Sequence, residues 1–274
     1  MTSIDRFVWT TEGWGPALRC GRLGDVADHF FTTRQLWLRG ESEDEDWRRV
    51  AAAIGVSPPR LLRLTQVHGN SVFVFRGRQV PSVVVPGPDG TPTFDGQAWP
   101  EADIAVTDDP TVALAIQVAD CVPLLLADAL TGAIAAVHAG WRGTAAGAAR
   151  AAVTALTHEF GARPDRLVVV MGPSIGPCCY VVGDELVDAF RAGGFSREIE
   201  RWFTRDDGGG LRLDVRAANR DQLIASGVAA AAIHAADLCT ACRPDLFPSY
   251  RRDGPGTGRI AAVIRSRGAA RSSR

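Results

Sequence analysis

The longest apolar stretch of the chain, VALAIQVADCVPLLLADAL at residues 112–130, restricts the fold more than any other feature. Asp120 and Pro123 interrupt it, so it does not read as a single membrane-spanning helix. Runs of aliphatic residues of this kind are typical of strands that are buried on both faces. GAIAAVHAG at 132–140 predicts another buried strand, and the alanine-rich segment at 143–161 predicts a helix directly after it.

Strand and helix patterns alternate along the rest of the chain. In the first third of the chain we predict short strands in RFVWT, HFFTTR and LWLRG, and then a helix with an acidic first turn in ESEDEDWRRVAAAIG that ends at Gly55. Two strands joined near His68–Asn70 follow in RLLRLTQVHGNSVFVF, and then a loop or lid at 76–100. Further on we predict a hairpin and a helix in RWFTRDDGGGLRLDVRAANRDQL and a closing strand in GRIAAVIRSR. This alternation predicts a single α/β domain over residues 1–265, with mixed β-sheets flanked by helices. Residues 266–274 are expected to be a disordered tail.

The composition excludes several classes of function. The formal net charge of −1 over 274 residues gives no electrostatic footprint for nucleic acid or for an anionic membrane. The sequence contains no lysine, which excludes a Schiff-base lysine and a Walker phosphate loop. The N-terminus lacks the pattern of a signal peptide, so we expect a cytoplasmic protein, and the sequence leaves open a monomer or a homodimer.

Six cysteines are present, and in this setting disulfides are not expected. Cys178 and Cys179 are interpreted as buried packing residues. Cys239-x-x-Cys242 resembles a redox or metal-binding pair, but no second such pair completes a four-cysteine site. We therefore interpret it as structural.

Three other residues form a candidate metal site. His68 and His138 follow strand patterns and precede glycine turns, and Cys121 lies within the apolar run, interpreted as a strand. Two imidazoles and a thiolate suit zinc with an open fourth position, with copper a weaker choice. Asp120 is a candidate to orient a ligand or to act as a general acid. The residues alone also permit three unrelated core and turn residues, or a cysteine hydrolase in which His138 activates Cys121.

The turn that follows His138 predicts an anion site. The chain passes through Gly140 and Gly143 into a helix expected to begin near Thr144, whose first N–H groups are unpaired. Arg142 adds a bidentate donor, and Trp141 offers a flat face to an aromatic ligand. These five positions, Gly140–Thr144, are candidates for binding phosphate and substrate. The zinc nucleobase deaminase signature is absent, and the five histidines are too few for a multicopper oxidase.

The motifs TQVHGN, ADIAVTD, VADCVPLLLAD, AAVHAGWRG, GPSIGPCCYVVGDEL, LDVRAANRDQL, LCT and SYRRDG…TGRIA occur in one order. Together they resemble the YfiH/YlmD-type family, also called the polyphenol oxidase or multicopper oxidase-like laccase-domain family. The resemblance covers roughly residues 30–265 and implies the YfiH-like fold. It also implies zinc bound by His68, Cys121 and His138.

The resemblance further implies purine nucleoside chemistry: phosphorolysis of adenosine, inosine and methylthioadenosine, and deamination of adenosine. The implied partners are a purine nucleoside and phosphate. The family's early Gly-Gly-x-Ser loop is missing here, although Phe31 and Arg34 before it are present. Arg34 is thus a candidate phosphate or ribose ligand. The missing loop also leaves open a metal- or nucleotide-binding protein without turnover, whereas laccase activity is not expected.

Overall fold

The computed structural model describes residues 7–77, 93–94 and 97–269. Most of the segment interpreted as a loop or lid, residues 78–92 and 95–96, lies outside this range, as do residues 270–274 of the predicted tail. The closing strand reaches Ser266, one residue into that tail.

The strands are β1 (Phe7–Glu12), β2 (Gly15–Cys20), β3 (Ala27–Phe31), β4 (Leu61–Leu62), β5 (Val72–Phe75), β6 (Thr93–Phe94), β7 (Gln97–Ala98), β8 (Ile104–Thr107), β9 (Ala113–Val118), β10 (Val122–Ala127), β11 (Ile134–Ala139), β12 (Val168–Met171), β13 (Val181–Val182), β14 (Phe203–Arg205), β15 (Leu211–Leu213), β16 (Ile233–Ala235) and β17 (Ile260–Ser266). The helices are α1 (Gly21–Gly24), α2 (Glu43–Ile54), α3 (Trp141–Ala145), α4 (Ala148–Phe160), α5 (Glu185–Ala192), α6 (Ile199–Trp202), α7 (Val215–Ala225) and α8 (Tyr250–Asp253).

Two six-stranded sheets dominate the described structure. The first has the strand order β1-β2-β3-β17-β9-β4, and the second has the order β16-β12-β10-β11-β8-β5. Each sheet is mixed: β4 pairs with β9 in parallel in the first sheet, and β12–β16 and β5–β8 are parallel pairs in the second. The prediction of an α/β domain with mixed sheets and outer helices is confirmed.

The two sheets pack face to face between layers of helices. Successive side chains of β9 point to opposite faces of the first sheet. Ala113 and Ala115 pack against α2 on one face, whereas Leu114 and Ile116 pack against Leu125 of the second sheet on the other face. The opposite face of β10 and β11 packs against α4 and α7. Strands covered on both sides must be apolar throughout, which explains the long aliphatic run.

The two connections that carry candidate site residues cross from the first sheet to the second. The segment 60–75 forms two strands joined by a loop that contains His68–Asn70, as predicted, and β4 belongs to the first sheet whereas β5 belongs to the second. The run 112–130 likewise divides into β9 of the first sheet and β10 of the second. His68 lies on the first crossing, and Cys121 lies on the second.

Three local predictions need correction. LWLRG is a loop rather than a strand, and the Asp46 carboxylate accepts hydrogen bonds from the backbone N–H groups of Trp37 and Leu38 there. The helix after His138 begins at Trp141 instead of near Thr144. It breaks at Gly147, which has a φ of 83°.

Within the described residues, no helix has both the length and the apolar character that crossing a membrane requires.

Candidate active site and metal centre

His68, Cys121 and His138 meet at one point, as predicted from the sequence. One ligand atom from each lies within 4.8 Å of the others. The two imidazole rings meet edge to face, with centroids 4.8 Å apart and an interplanar angle of 80°. His138 is buried at the end of β11, whereas Cys121 precedes β10 in a turn instead of lying inside a strand. The three side chains can therefore bind a common metal ion after small movements.

Asp103 orients two of these ligands. Its fully buried carboxylate accepts hydrogen bonds from His138 Nδ1 at 2.7 Å and from the backbone N–H of His68 at 2.9 Å. It also accepts one from the N–H of Gly69 at 2.6 Å. With Nδ1 engaged, Nε2 of His138 is the nitrogen left for a metal or for Cys121. The two backbone bonds hold His68 in the left-handed region, at a φ of 63°.

The thiol and the imidazole stabilise each other's charged forms. Burial by itself would raise the pKa of Cys121, but the charge of His138 and hydrogen bonds from His138 and His68 lower the pKa to about 6. Burial would lower the pKa of His138, yet the Cys121 charge and the hydrogen bond to Asp103 raise the pKa to about 9. Both effects favour a thiolate beside an imidazolium when no metal is bound.

Two glycines of the predicted anion-binding turn are required by close contacts. A Cβ on Gly140 would lie 2.8 Å from Cys121 Sγ and 3.4 Å from Cδ2 of His68. A Cβ on Gly143 would lie 2.7 Å from the carbonyl oxygen of Gly69. Both glycines thus let the turn approach the two ligand loops.

The outer part of the same turn faces the cavity, but Thr144 does not. Thr144 is fully buried, its N–H donates to Gly140, and its hydroxyl accepts a hydrogen bond from Asn219 at 2.9 Å. Trp141 and Arg142 do line the cavity, with the Arg142 guanidinium 4.2 Å from the Trp141 ring centroid. The turn therefore retains Gly140, Trp141 and Arg142 as candidates, while Thr144 fastens α3 to α7.

The centre opens into a cavity of ≈ 700 Å³, a volume typical of small-molecule sites. Beside polar and aliphatic residues and the carboxylates Glu43 and Asp120, its lining includes four aromatic side chains and four arginines: Trp99, Trp141, Tyr180, Tyr250, Arg63, Arg142, Arg251 and Arg259. Arg63 is already paired with Glu43 at 3.4 Å, and Arg251 lies over the Tyr180 ring. In the described part of the chain, no carboxylate pairs with Arg142, which leaves its guanidinium available to a ligand.

Two predicted residues have other contacts. Asp120 borders the cavity, but its carboxylate accepts hydrogen bonds from the hydroxyls of Thr240 and Ser249 and from the N–H of Arg251. Asp103, not Asp120, orients the histidine. Arg34 is exposed, donates to the carbonyl of Pro244, and is not among the residues that line the cavity.

Sequence reasoning missed Asp103 and the cavity wall formed by Tyr180, Arg251 and Arg259. Asp103 is an acid among apolar residues in ADIAVTD, a signal for a buried carboxylate with a specific partner. Burial, followed by the charge of Cys121, raises the pKa of Tyr180 to about 12, so its hydroxyl remains a donor.

Two layered mixed sheets thus place a His–Cys–His cluster in the lining of a cavity whose volume is typical of small-molecule sites. The sequence profile of the family described as multi-copper polyphenol oxidoreductase laccase matches residues 40–267. The chain belongs to this family.

Three relatives show how closely the chain resembles known proteins. A purine nucleoside phosphorylase of Deinococcus radiodurans is 37% identical over 267 residues, covering 91% of this chain and 92% of the relative. An adenosine deaminase, RL5, from an unknown prokaryotic organism is 40% identical over 163 residues, or 59% of this chain and 60% of the relative.

The third relative also has a solved structure. Purine nucleoside phosphorylase YlmD of Geobacillus stearothermophilus is 35% identical over 223 residues, covering 79% of this chain and 76% of the relative. Its crystal structure superposes with a TM-score of 0.77 and 30% identity, covering 95% of this chain and 99% of that one. The predicted YfiH/YlmD-type family and its fold are therefore confirmed.

Proposed function

We propose that the chain is a zinc-dependent purine nucleoside phosphorylase that acts on adenosine, inosine and methylthioadenosine, and that it also deaminates adenosine. The observation that carries the proposal is the convergence of His68, Cys121 and His138 in the lining of a cavity that also contains Arg142, for which the described residues supply no carboxylate partner. The names of the relatives support purine nucleosides and phosphate as substrates. The name of one relative supports deamination.

The three side chains fit a zinc ion. One thiolate and two imidazoles form a donor set that binds zinc in preference to harder metal ions. Three protein ligands leave a fourth position on the zinc for a substrate or water. Gly140 keeps the space beside Cys121 Sγ free of a Cβ. A zinc ion there would supply a Lewis acid for water activation or for polarisation of a purine nitrogen. Copper is the weaker alternative.

The residues of the chain would position the substrates. The Arg142 guanidinium, which lines the cavity, would bind phosphate as a bidentate donor. Trp141 and Tyr180 provide flat faces for the purine and ribose. We propose that the base lies toward His68 and Cys121 and the ribose C1′ toward the phosphate. Tyr180 lines the cavity and keeps its hydroxyl hydrogen, so it would be a hydrogen-bond donor for the departing base.

The test incubates the pure protein with adenosine, with and without phosphate, and measures adenine, inosine and hypoxanthine. Cys121→Ser replaces the thiolate with a poor ligand and should abolish both reactions. Arg142→Ala should raise the KM for phosphate several-fold and leave deamination largely intact. Arg150→Ala is the matched control, because Arg150 is an exposed arginine of α4 that does not line the cavity. If Cys121→Ser cleaves inosine at the wild-type rate, the shared centre is wrong.

A cysteine hydrolase is a second candidate, favoured by the order Asp103–His138–Cys121 and by the thiolate–imidazolium pair. Under this alternative, alkylation of Cys121 destroys activity but metal chelation does not. Under the zinc proposal, chelation abolishes activity and added zinc restores it. Absence of any product, together with retained nucleoside binding, would instead indicate a binding protein without turnover.

A further inference from the structure

Four of the remaining cysteines converge at a second place, outside the cavity. The sulfur atoms of Cys178, Cys179, Cys239 and Cys242 all lie within 4.8 Å of one another. Cys242 Sγ is 3.6 Å from the sulfur of Cys178 and 3.3 Å from that of Cys179. All four thiols are free. The interpretation of Cys178–Cys179 as packing residues and of Cys239-x-x-Cys242 as an incomplete pair is therefore corrected.

Two loops bring these cysteines together. Cys178 and Cys179 lie on a tight turn in which the N–H of Cys179 donates to the carbonyl of Gly176 at 3.0 Å. A parallel bridge between Ser174 and Cys239 joins this loop to the second one. In the second loop, Cys239-x-x-Cys242 forms a short turn, a spacing that recurs in zinc knuckles.

The distances fit a tetrahedral metal site. A Zn–S bond of about 2.3 Å places the sulfurs of a tetrahedron roughly 3.8 Å apart. The distances from Cys242 Sγ to the other two sulfurs, 3.6 and 3.3 Å, are close to that edge, whereas a disulfide needs about 2.05 Å. Four thiolates select zinc or another thiophilic ion over magnesium or calcium.

Two arginines hold the loops that carry the cysteines. The Arg212 guanidinium, which is paired with Asp206, donates to the carbonyl of Cys178 at 2.8 Å. The Arg252 guanidinium, which is paired with Asp253, donates to the carbonyl of Thr240 at 3.0 Å. Each arginine thus holds one of the two cysteine loops. The N–H of Gly176 also donates to Cys239 Sγ at 3.3 Å, as backbone amides commonly do for metal-bound thiolates.

We propose that Cys178, Cys179, Cys239 and Cys242 form a closed, structural zinc site, separate from the His–Cys–His centre. The ion joins two loops that support the cavity wall. Tyr180 follows Cys179 directly, and Thr240, which follows Cys239, donates to Asp120 at 2.6 Å. The site is independent of the proposed function, since none of its four cysteines lines the cavity.

The experiment counts zinc ions in protein that has been saturated with zinc and desalted. The wild type should retain about two per chain, and both Cys121→Ser and the Cys239→Ser/Cys242→Ser variant should retain about one. Cys20→Ala, at a cysteine outside both clusters, is the control and should retain two. Cobalt added to Cys121→Ser should give the intense absorption of a tetrahedral tetrathiolate.

A measurement on the wild type removes any dependence on the folding of variants. Zinc should protect the four cluster cysteines from iodoacetamide in addition to Cys121, as identified peptide by peptide by mass spectrometry. The proposal is overturned if zinc protects only Cys121, if the double variant keeps the wild-type zinc content, or if the four cysteines are recovered as disulfides from protein prepared with zinc.

Discussion

Replacing Asp103 with Asn removes a negative charge while keeping the shape of the side chain. In the wild type, Oδ1 accepts from His138 Nδ1 and from the N–H of His68, and Oδ2 accepts from the N–H of Gly69. An asparagine has one oxygen and one NH₂ group for these three donors. The favoured orientation keeps the oxygen toward the histidines, so the NH₂ group faces the N–H of Gly69.

The loss can be estimated from these contacts. A hydrogen bond to a charged group contributes about 1.5–3 kcal/mol, and a buried donor left without an acceptor costs about 1–3 kcal/mol. The lost hydrogen bond and the unpaired donor both concern the N–H of Gly69, so the two costs are not fully additive. We therefore expect Asp103→Asn to lower the free energy of unfolding by about 2–4 kcal/mol, or the Tm by roughly 5–15 °C. Asp103 hydrogen-bonds to the metal ligand His138, and the loss of such a supporting residue also lowers metal affinity by about 10–100-fold.

The assay must report the His–Cys–His centre alone. We would measure the zinc concentration that half-protects Cys121 from iodoacetamide, read at the peptide that contains Cys121. Asp120→Asn is the matched control, because this buried carboxylate also accepts three hydrogen bonds but none from His68 or His138. Both variants should lose stability, and only Asp103→Asn should need more zinc. Equal zinc dependence in the two variants would refute the assignment of Asp103 as the orienting residue.

Three further predictions follow from single contacts. Gly140→Ala should weaken zinc protection of Cys121 at least ten-fold, because its Cβ would lie 2.8 Å from the sulfur; unchanged protection would contradict the close contact. Thr144→Val should lower the free energy of unfolding by about 1–3 kcal/mol through the lost bond to Asn219 and leave the phosphate KM unchanged; a raised KM would restore Thr144 as a phosphate ligand. Burial lowers the pKa of His29 to about 4, so the unfolded chain binds more protons than the folded one between pH 6.5 and 4. The free energy of unfolding should therefore fall by up to about 3 kcal/mol as the pH drops through that window. Urea titrations of His29→Gln should show a shallower fall, and an equally steep fall would contradict this assignment to His29.

The sequence predicts the layers of this fold better than its connections. Aliphatic runs identify β9, β10 and β11 as buried, since strands covered on both faces contain few polar residues. The same apolar character conceals which sheet each strand joins. Nothing local to the segment 61–75 distinguishes a hairpin from a crossing between two sheets, because the difference lies in partners far away in sequence.

The ligands of the centre could be predicted because their chemistry is rare, whereas their supporting residues depend on geometry. Asp120 seemed the natural partner because it adjoins Cys121, but its φ of 86° helps direct its carboxylate to Thr240 and Ser249. The sequence leads to an interpretation of Cys178 and Cys179 as packing residues because free cysteines are commonly buried. The partner that changes this interpretation, Cys242, lies far away in sequence, and a tight turn lets both sulfurs approach it.

Asp103 also determines what kind of chemistry the centre can perform. Every group that faces its carboxylate is a donor, and hydrogen bonds to His138, Gly69 and His68 lower the pKa of Asp103 even though burial alone would raise it. It therefore acts as a fixed anion that joins the loop of His68 to the end of β11, instead of supplying a proton. Asp120 is committed to three donors in the same way. If the proposed phosphorolysis is right, we expect the proton for a departing base to come from the cavity side, where Tyr180 keeps its hydroxyl hydrogen.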